Sequence, residues 1–151
     1  MREVERIKDQ LRRAFEGPAW HGPSLKELVA DITAEKASAR PLAGAHSIWE
    51  IVLHIAAWDE GVRRRLAGDR AELSKEEDWP PVRDTSEAAW REALAVLERN
   101  NQGLRAALDN FDEARLGEPI VEGMSSVYVT LHGVIQHDLY HAGQIALLKK
   151  G

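Results

Sequence analysis

The sequence predicts an all-α protein, most economically an antiparallel four-helix bundle with additional short helices. Three observations carry this. Apolar residues recur every three or four positions in four long segments, helix-capping signatures precede several of them, and no convincing run alternates apolar and polar over strand length, apart from a few residues near Ile120.

Val4, Ile7, Leu11 and Phe15 lie on one face of a first helix that should stop at Gly17-Pro18. Ser24 followed by Glu27 has capping-box spacing, and Leu25, Leu28, Val29 and Ile32 supply the apolar face of a shorter second helix. A linker through ARPLAGAH follows. Ser47 and Glu50 repeat the capping pattern ahead of a long helix whose stripe is Ile48, Ile51, Val52, Ile55, Trp58, Val62 and Leu66. Arg63, Arg64 and Arg65 suit the negative end of that helix's dipole, and Gly68 suits its stop. Residues 69–84 contain Asp78-Trp79-Pro80-Pro81, which cannot continue a helix, and read as a long loop crossing an end of the bundle. The next helix is expected from about Asp84, with Ala89, Ala93, Val96, Leu97, Leu104 and Leu108 inward, and Gly117 and Pro119 punctuate its far side. Ser125 or Ser126 can cap a final helix whose inner side is Val127, Leu131, Val134, His141, Ile145 and Leu148.

Composition bounds the function. At 151 residues, with 44% hydrophobic and 30% charged residues, the chain reads as one domain, 1–151, large enough for a core without disulfides. A net charge of -5 and a pI near 5.7 argue against nucleic acid or an anionic membrane as partner, and the one basic cluster, Arg63 to Arg65, is short. No apolar run approaches the roughly 18–20 residues that span a bilayer, and the first residues lack a signal-peptide core, so a cytoplasmic protein is expected. Cysteine is absent, which removes thiolate ligands and cysteine nucleophiles, so any thiol chemistry needs an external thiol.

The chemistry concentrates in IQHDLYHAGQIALL. His137 and His141 are four apart on the final helix, where imidazoles stand one above the other and can converge on one cation. Spacing alone is weak, but these histidines interrupt an apolar stripe, and two stacked core imidazoles need partners for four nitrogens. His54, mid-helix in EIVLHIAAW, is the natural third ligand. Three histidines from two helices would leave a zinc-like ion an open position, as in catalytic sites. HDLYH differs from the H-E-x-x-H protease signature by Asp138 in place of the glutamate, one methylene short and off the ligand face, which disfavours a protease. Around the triad, Asp138 and Gln144 are candidates to hydrogen-bond a ligand imidazole or substrate. Tyr140 is expected to pack at a helix interface, Trp49, Trp58 and Trp90 to sit in the core with Trp58 able to wall the pocket, and Gly143 to mark a close approach. His21 and His46 are expected in solvated loops or local caps, and His132 off the ligand face.

SIWEIVLHIAAWDEGVRRRL, the closing HGVIQHDLYHAGQIALLKK and the early WHGPSLKELVADITAEKASARP together resemble the DinB-like (YfiT-like) superfamily over nearly the whole chain. The resemblance implies a four-helix bundle holding a divalent metal, zinc or nickel for preference, on His54, His137 and His141, and pairing as a homodimer. It also implies small-molecule chemistry, foremost transfer with a low-molecular-weight thiol as cosubstrate. The alternatives left open are a metal-dependent hydrolase and a non-catalytic metal-binding bundle serving stress response or interaction.

Overall fold

In a computed structural model, which describes residues 1–151, six of the seven α-helices begin at a Ser or Thr whose side chain accepts the backbone N–H three residues on. The helices are α1 (Glu3–Phe15), α2 (Leu25–Val29), α3 (Ala34–Ser38), α4 (Ile48–Leu66), α5 (Lys75–Asp78), α6 (Glu87–Ala106) and α7 (Val127–Leu148), with a 3₁₀ turn at Glu113–Gly117. No strand forms; the residues near Ile120 contribute only an isolated bridge between Pro119 and Ser126. The four long segments are helices as expected, and Ser126 rather than Ser125 starts the last.

Three boundaries differ from the sequence reading. The second helix ends at Val29, and Thr33 caps a separate α3 that spacing did not reveal. The crossing loop contains α5, held by a Ser74–Glu77 capping box. α6 is capped by Ser86, two residues past Asp84, because the Asp84 carboxylate binds the Ser86 N–H while Glu87 reaches across to the Ala34 N–H at 2.8 Å.

α1, α6, α4 and α7 form a square in which α1 packs on α6 and α7, and α4 packs on α6 and α7. Asn100 donates to the Ala56 carbonyl and a Cβ at Gly103 would meet Arg63, so α4 and α6 run the same way, which the long 67–86 connection makes possible. α1 opposes α6, with Arg105 on Glu16 and Lys8 on Asp109, and α4 opposes α7 through the histidines.

The core is two apolar clusters. One gathers the N-terminal halves of α4 and α6 with the C-terminal half of α7 and the short α2 and α3, around Leu25, Ile55, Trp90, Leu97 and Ile145. The other joins α1 to the opposite ends, around Ile7, Leu11, Leu104 and Leu131. At their border each of α4, α6 and α7 contributes one wholly buried polar residue: Asp59, Asn101 and Asp138. None of the helices is long and apolar enough to cross a membrane.

Candidate metal centre

His54 projects from the middle of α4 and His137 and His141 from successive turns of α7, and antiparallel packing brings the three rings face to edge. His137 Nε2 lies 3.0 Å from His54 Nε2 and 3.1 Å from His141 Nε2, and the three ligand atoms all lie within 4.8 Å of one another. A tetrahedral ion with bonds of about 2.0–2.1 Å would hold such nitrogens roughly 3.3 Å apart.

The outer nitrogens decide the tautomers. His54 Nδ1 is 2.7 Å from the Asp78 carbonyl and 3.0 Å from the Asp78 carboxylate, and His141 Nδ1 is 2.6 Å from Gln144 Oε1. All these partners are acceptors, so Nδ1 carries the proton in both rings and both Nε2 lone pairs face the centre. Burial, reinforced by the neighbouring imidazoles, pulls the His137 pKa down to about 4; burial also lowers that of His141, against the Gln144 hydrogen bond. His137 and His141 are therefore neutral near pH 7. With the His54 and His141 lone pairs turned to the centre and His137 Nε2 between them, the three nitrogens form a donor set that fits a borderline divalent ion.

The crossing loop completes the site. Trp79 is sandwiched between His46 and His54, with ring centroids 3.6 and 3.7 Å apart and planes within 8° and 4° of parallel. The Asp78 carboxylate also accepts from Trp58 Nε1 at 2.7 Å, so Asp78 holds the edge of the His54 ring and Trp79 covers one of its faces. Sequence reasoning placed these residues in the loop without assigning them to the site, because a Pro-Pro stretch signals where a helix stops and not what the preceding side chains touch.

Two cavities flank the triad. One, of about 400 Å³, is bounded by His54, His137, Trp58, Arg65 and Thr130; the other, of about 330 Å³ and more apolar, by His46, Trp79, Tyr140, His141 and Leu147. Another hollow, of about 660 Å³ between Arg13, Trp20, His21 and Leu139, touches none of the three histidines and has no part in this site.

The surrounding expectations resolve individually. Gln144 accepts from one ring of the histidine cluster, that of His141. Asp138 does not: its carboxylate is wholly buried with no hydrogen-bond partner and faces Asp59, because position 138 turns into the bundle core while 137 and 141 turn to the cleft. Trp49 and Trp90 are core, and Trp58 walls the first cavity. Tyr140 is exposed at the second cavity rather than packed between helices, and a Cβ at Gly143 would meet nothing, so no other helix makes a close approach there. His46 stays exposed just before the Ser47 cap, as expected, bonded to Glu50 of the capping box and stacked on Trp79. His21 is exposed on its loop and His132 packs on Tyr128, away from the triad.

Burial pushes the Asp59 carboxyl up to about 7, against a weak bond from Asn101 and the charge of Arg105, and burial together with Asp59 raises Asp138 well above the usual carboxylate range.

Comparison with curated proteins finds no match, and comparison with solved structures finds none. The family model described as the DinB superfamily matches residues 19–145, a span that includes all three histidines, and the chain belongs to that superfamily.

Proposed function

We propose that the protein is a divalent-metal-dependent enzyme that transfers a low-molecular-weight thiol to a small electrophile, with zinc or nickel held by His54, His137 and His141. The observation that carries this reading is the pair of cavities on either side of one three-histidine cluster, which suits two small molecules meeting at one centre. When bound, the metal would supply Lewis acidity that lowers a coordinated thiol's pKa. The chain's own groups do the rest. Asp78 and Gln144 hold His54 and His141 in the tautomer that points Nε2 inward, Trp79 fixes the ring of His54, and the apolar wall of Trp79, Tyr140 and Leu147 offers an electrophile a water-poor surface.

Cavities open beside the histidines favour turnover over a sealed structural site, since Trp58 walls the first cavity without filling it. The test is to offer the zinc- or nickel-loaded protein a panel of cellular thiols with a common aryl halide electrophile. Rates well above the free thiol are expected, with loss in His137→Ala; no acceleration with any thiol would overturn the transfer reading and leave hydrolysis or a non-catalytic role.

The same reading includes a cytoplasmic setting, where free low-molecular-weight thiols are kept reduced. It also includes a homodimer formed through the outer face of α7, where Val129, Tyr140 and Leu147 are exposed.

A further inference from the structure

Of the fourteen arginines, eleven pair with a carboxylate, whereas Arg65, in the last turn of α4, pairs with none. Its guanidinium is nonetheless held in place. Nε donates to the Arg70 carbonyl at 3.0 Å, one Nη to the Ala71 carbonyl at 3.2 Å, and Cζ stands 5.3 Å from the centroid of Trp58. The acceptor loop is itself constrained: Ala71 sits at φ +44°, a left-handed conformation uncommon for alanine, with its N–H on the Asp69 carboxylate. Positions 54, 58 and 65 share a face of α4, so this fixed, unneutralised cation lines the same cavity as His54 and His137.

We infer that the Arg65 side of this cavity is an anion subsite, which selects a metal-directed ligand carrying a carboxylate at its far end. The remaining guanidinium N–H groups have no acceptor in the chain and present the fork that a carboxylate fits. The one carboxylate in the cavity, Asp78, forms no ion pair with Arg65; its Oδ1 is taken by both Trp58 Nε1 and His54 Nδ1. Arg65 Cζ is 5.3 Å from the Trp58 ring and that ring is 6.5 Å from His137, a span that a molecule of amino-acid to short-peptide length covers at about 3.3–3.6 Å per residue. The guanidinium also stacks on Trp58, which limits its motion and lowers the entropy lost on binding.

This subsite deepens the thiol reading and rests on it, and one calorimetric experiment separates the two. Zinc-loaded protein of measured metal content is titrated near neutral pH with 3-mercaptopropionate and 6-mercaptohexanoate, each against the mercaptoalkanol of the same length. The longer acid should bind about tenfold more tightly than its alcohol. Arg65→Met should erase that preference while keeping zinc stoichiometry and alcohol affinity, and Arg65→Lys should retain part of it. Equal binding of acid and alcohol by a fully zinc-loaded protein, or a preference that survives in Arg65→Met, would overturn the subsite while sparing the metal centre. Binding of neither thiol at full zinc occupancy would overturn the thiol reading and the subsite with it.

Discussion

At the scale of single residues, the centre depends on which imidazole nitrogen carries a proton. With Nδ1–H of His54 and His141 committed to Asp78 and Gln144, Nε2 is left as donor to a cation. His54→Ala and His137→Ala should each lower zinc content in untagged protein from near one equivalent to a small fraction, read by elemental analysis. Gln144→Leu removes only the acceptor, and should weaken zinc about 10- to 100-fold in a chelator competition while the helical circular dichroism stays unchanged. The convergence of the three histidines was legible in the sequence because helical spacing states where residues 137 and 141 point, and because a histidine inside an apolar stripe is conspicuous. Asp138 could be no more than a candidate for a related reason: four-residue spacing ties 137 to 141, but only the packing of the helices shows that 138 faces Asp59.

Asp59 makes a second residue-scale claim, and its sign follows from linkage. Its folded pKa near 7 lies above the ordinary value of 3.8, so between those values the folded chain holds a proton that the unfolded chain has lost. Stability contributed by this group is present at the acid end and falls as pH rises, with the loss complete above about 7. Asp59→Asn removes that dependence, and its amide gives the acceptor-rich layer a donor, since Asp59 Oδ1, Asn101 Oδ1 and both Asp138 oxygens have no partner. Urea unfolding of metal-free protein should show the variant more stable at pH 8 by about 2–4 kcal/mol, at roughly 1.4 kcal/mol per unit of displacement, with little difference near pH 4. Equal stability at pH 8 would refute the charged layer.

At the scale of elements, the four long helices were readable since each carries an amphipathic stripe and a capping Ser or an acidic first turn. The short α3 and α5 were not, because four or five residues are too few for a period to show. α5 matters most to function. It packs on α4, buries none of its own residues, and carries Asp78 at its C-terminal end and Trp79 just beyond, so its position rests on the Ser74 cap and on the contacts around His54. Fixing His54 with a metal should therefore steady this segment more than the bundle. Hydrogen exchange is expected to speed up at residues 75–82 when zinc is removed by chelation, by tenfold or more, while the centres of α4 and α6 remain protected. Trp79→Ala should show the faster exchange even with zinc present, and should weaken zinc several-fold by releasing the ring of His54. A segment equally protected with and without metal would place its stability elsewhere.

At the scale of the molecule, two apolar clusters meet at a polar layer, and the three-histidine cluster opens beside that layer through α4 and α7. α4 and α7 thus serve core, layer and cleft at once, and the outer face of α7, whose Tyr140 and Leu147 also rim the second cavity, stays exposed. Val129, Tyr140 and Leu147 project there, 55%, 67% and 72% exposed, at intervals of eleven and seven residues that return to nearly the same helical direction. Single exposed apolar residues are ordinary, but a stripe along one helix is what a second copy would cover. Light scattering on the eluting protein should give twice the chain mass of 16.9 kDa. Because two glutamates would meet their symmetry mates across an isologous interface, Val129→Glu combined with Leu147→Glu should elute as monomer. Zinc content should stay near one per chain in that variant, since all three ligands come from a single chain, whereas a monomeric wild type would remove the stripe's assigned role.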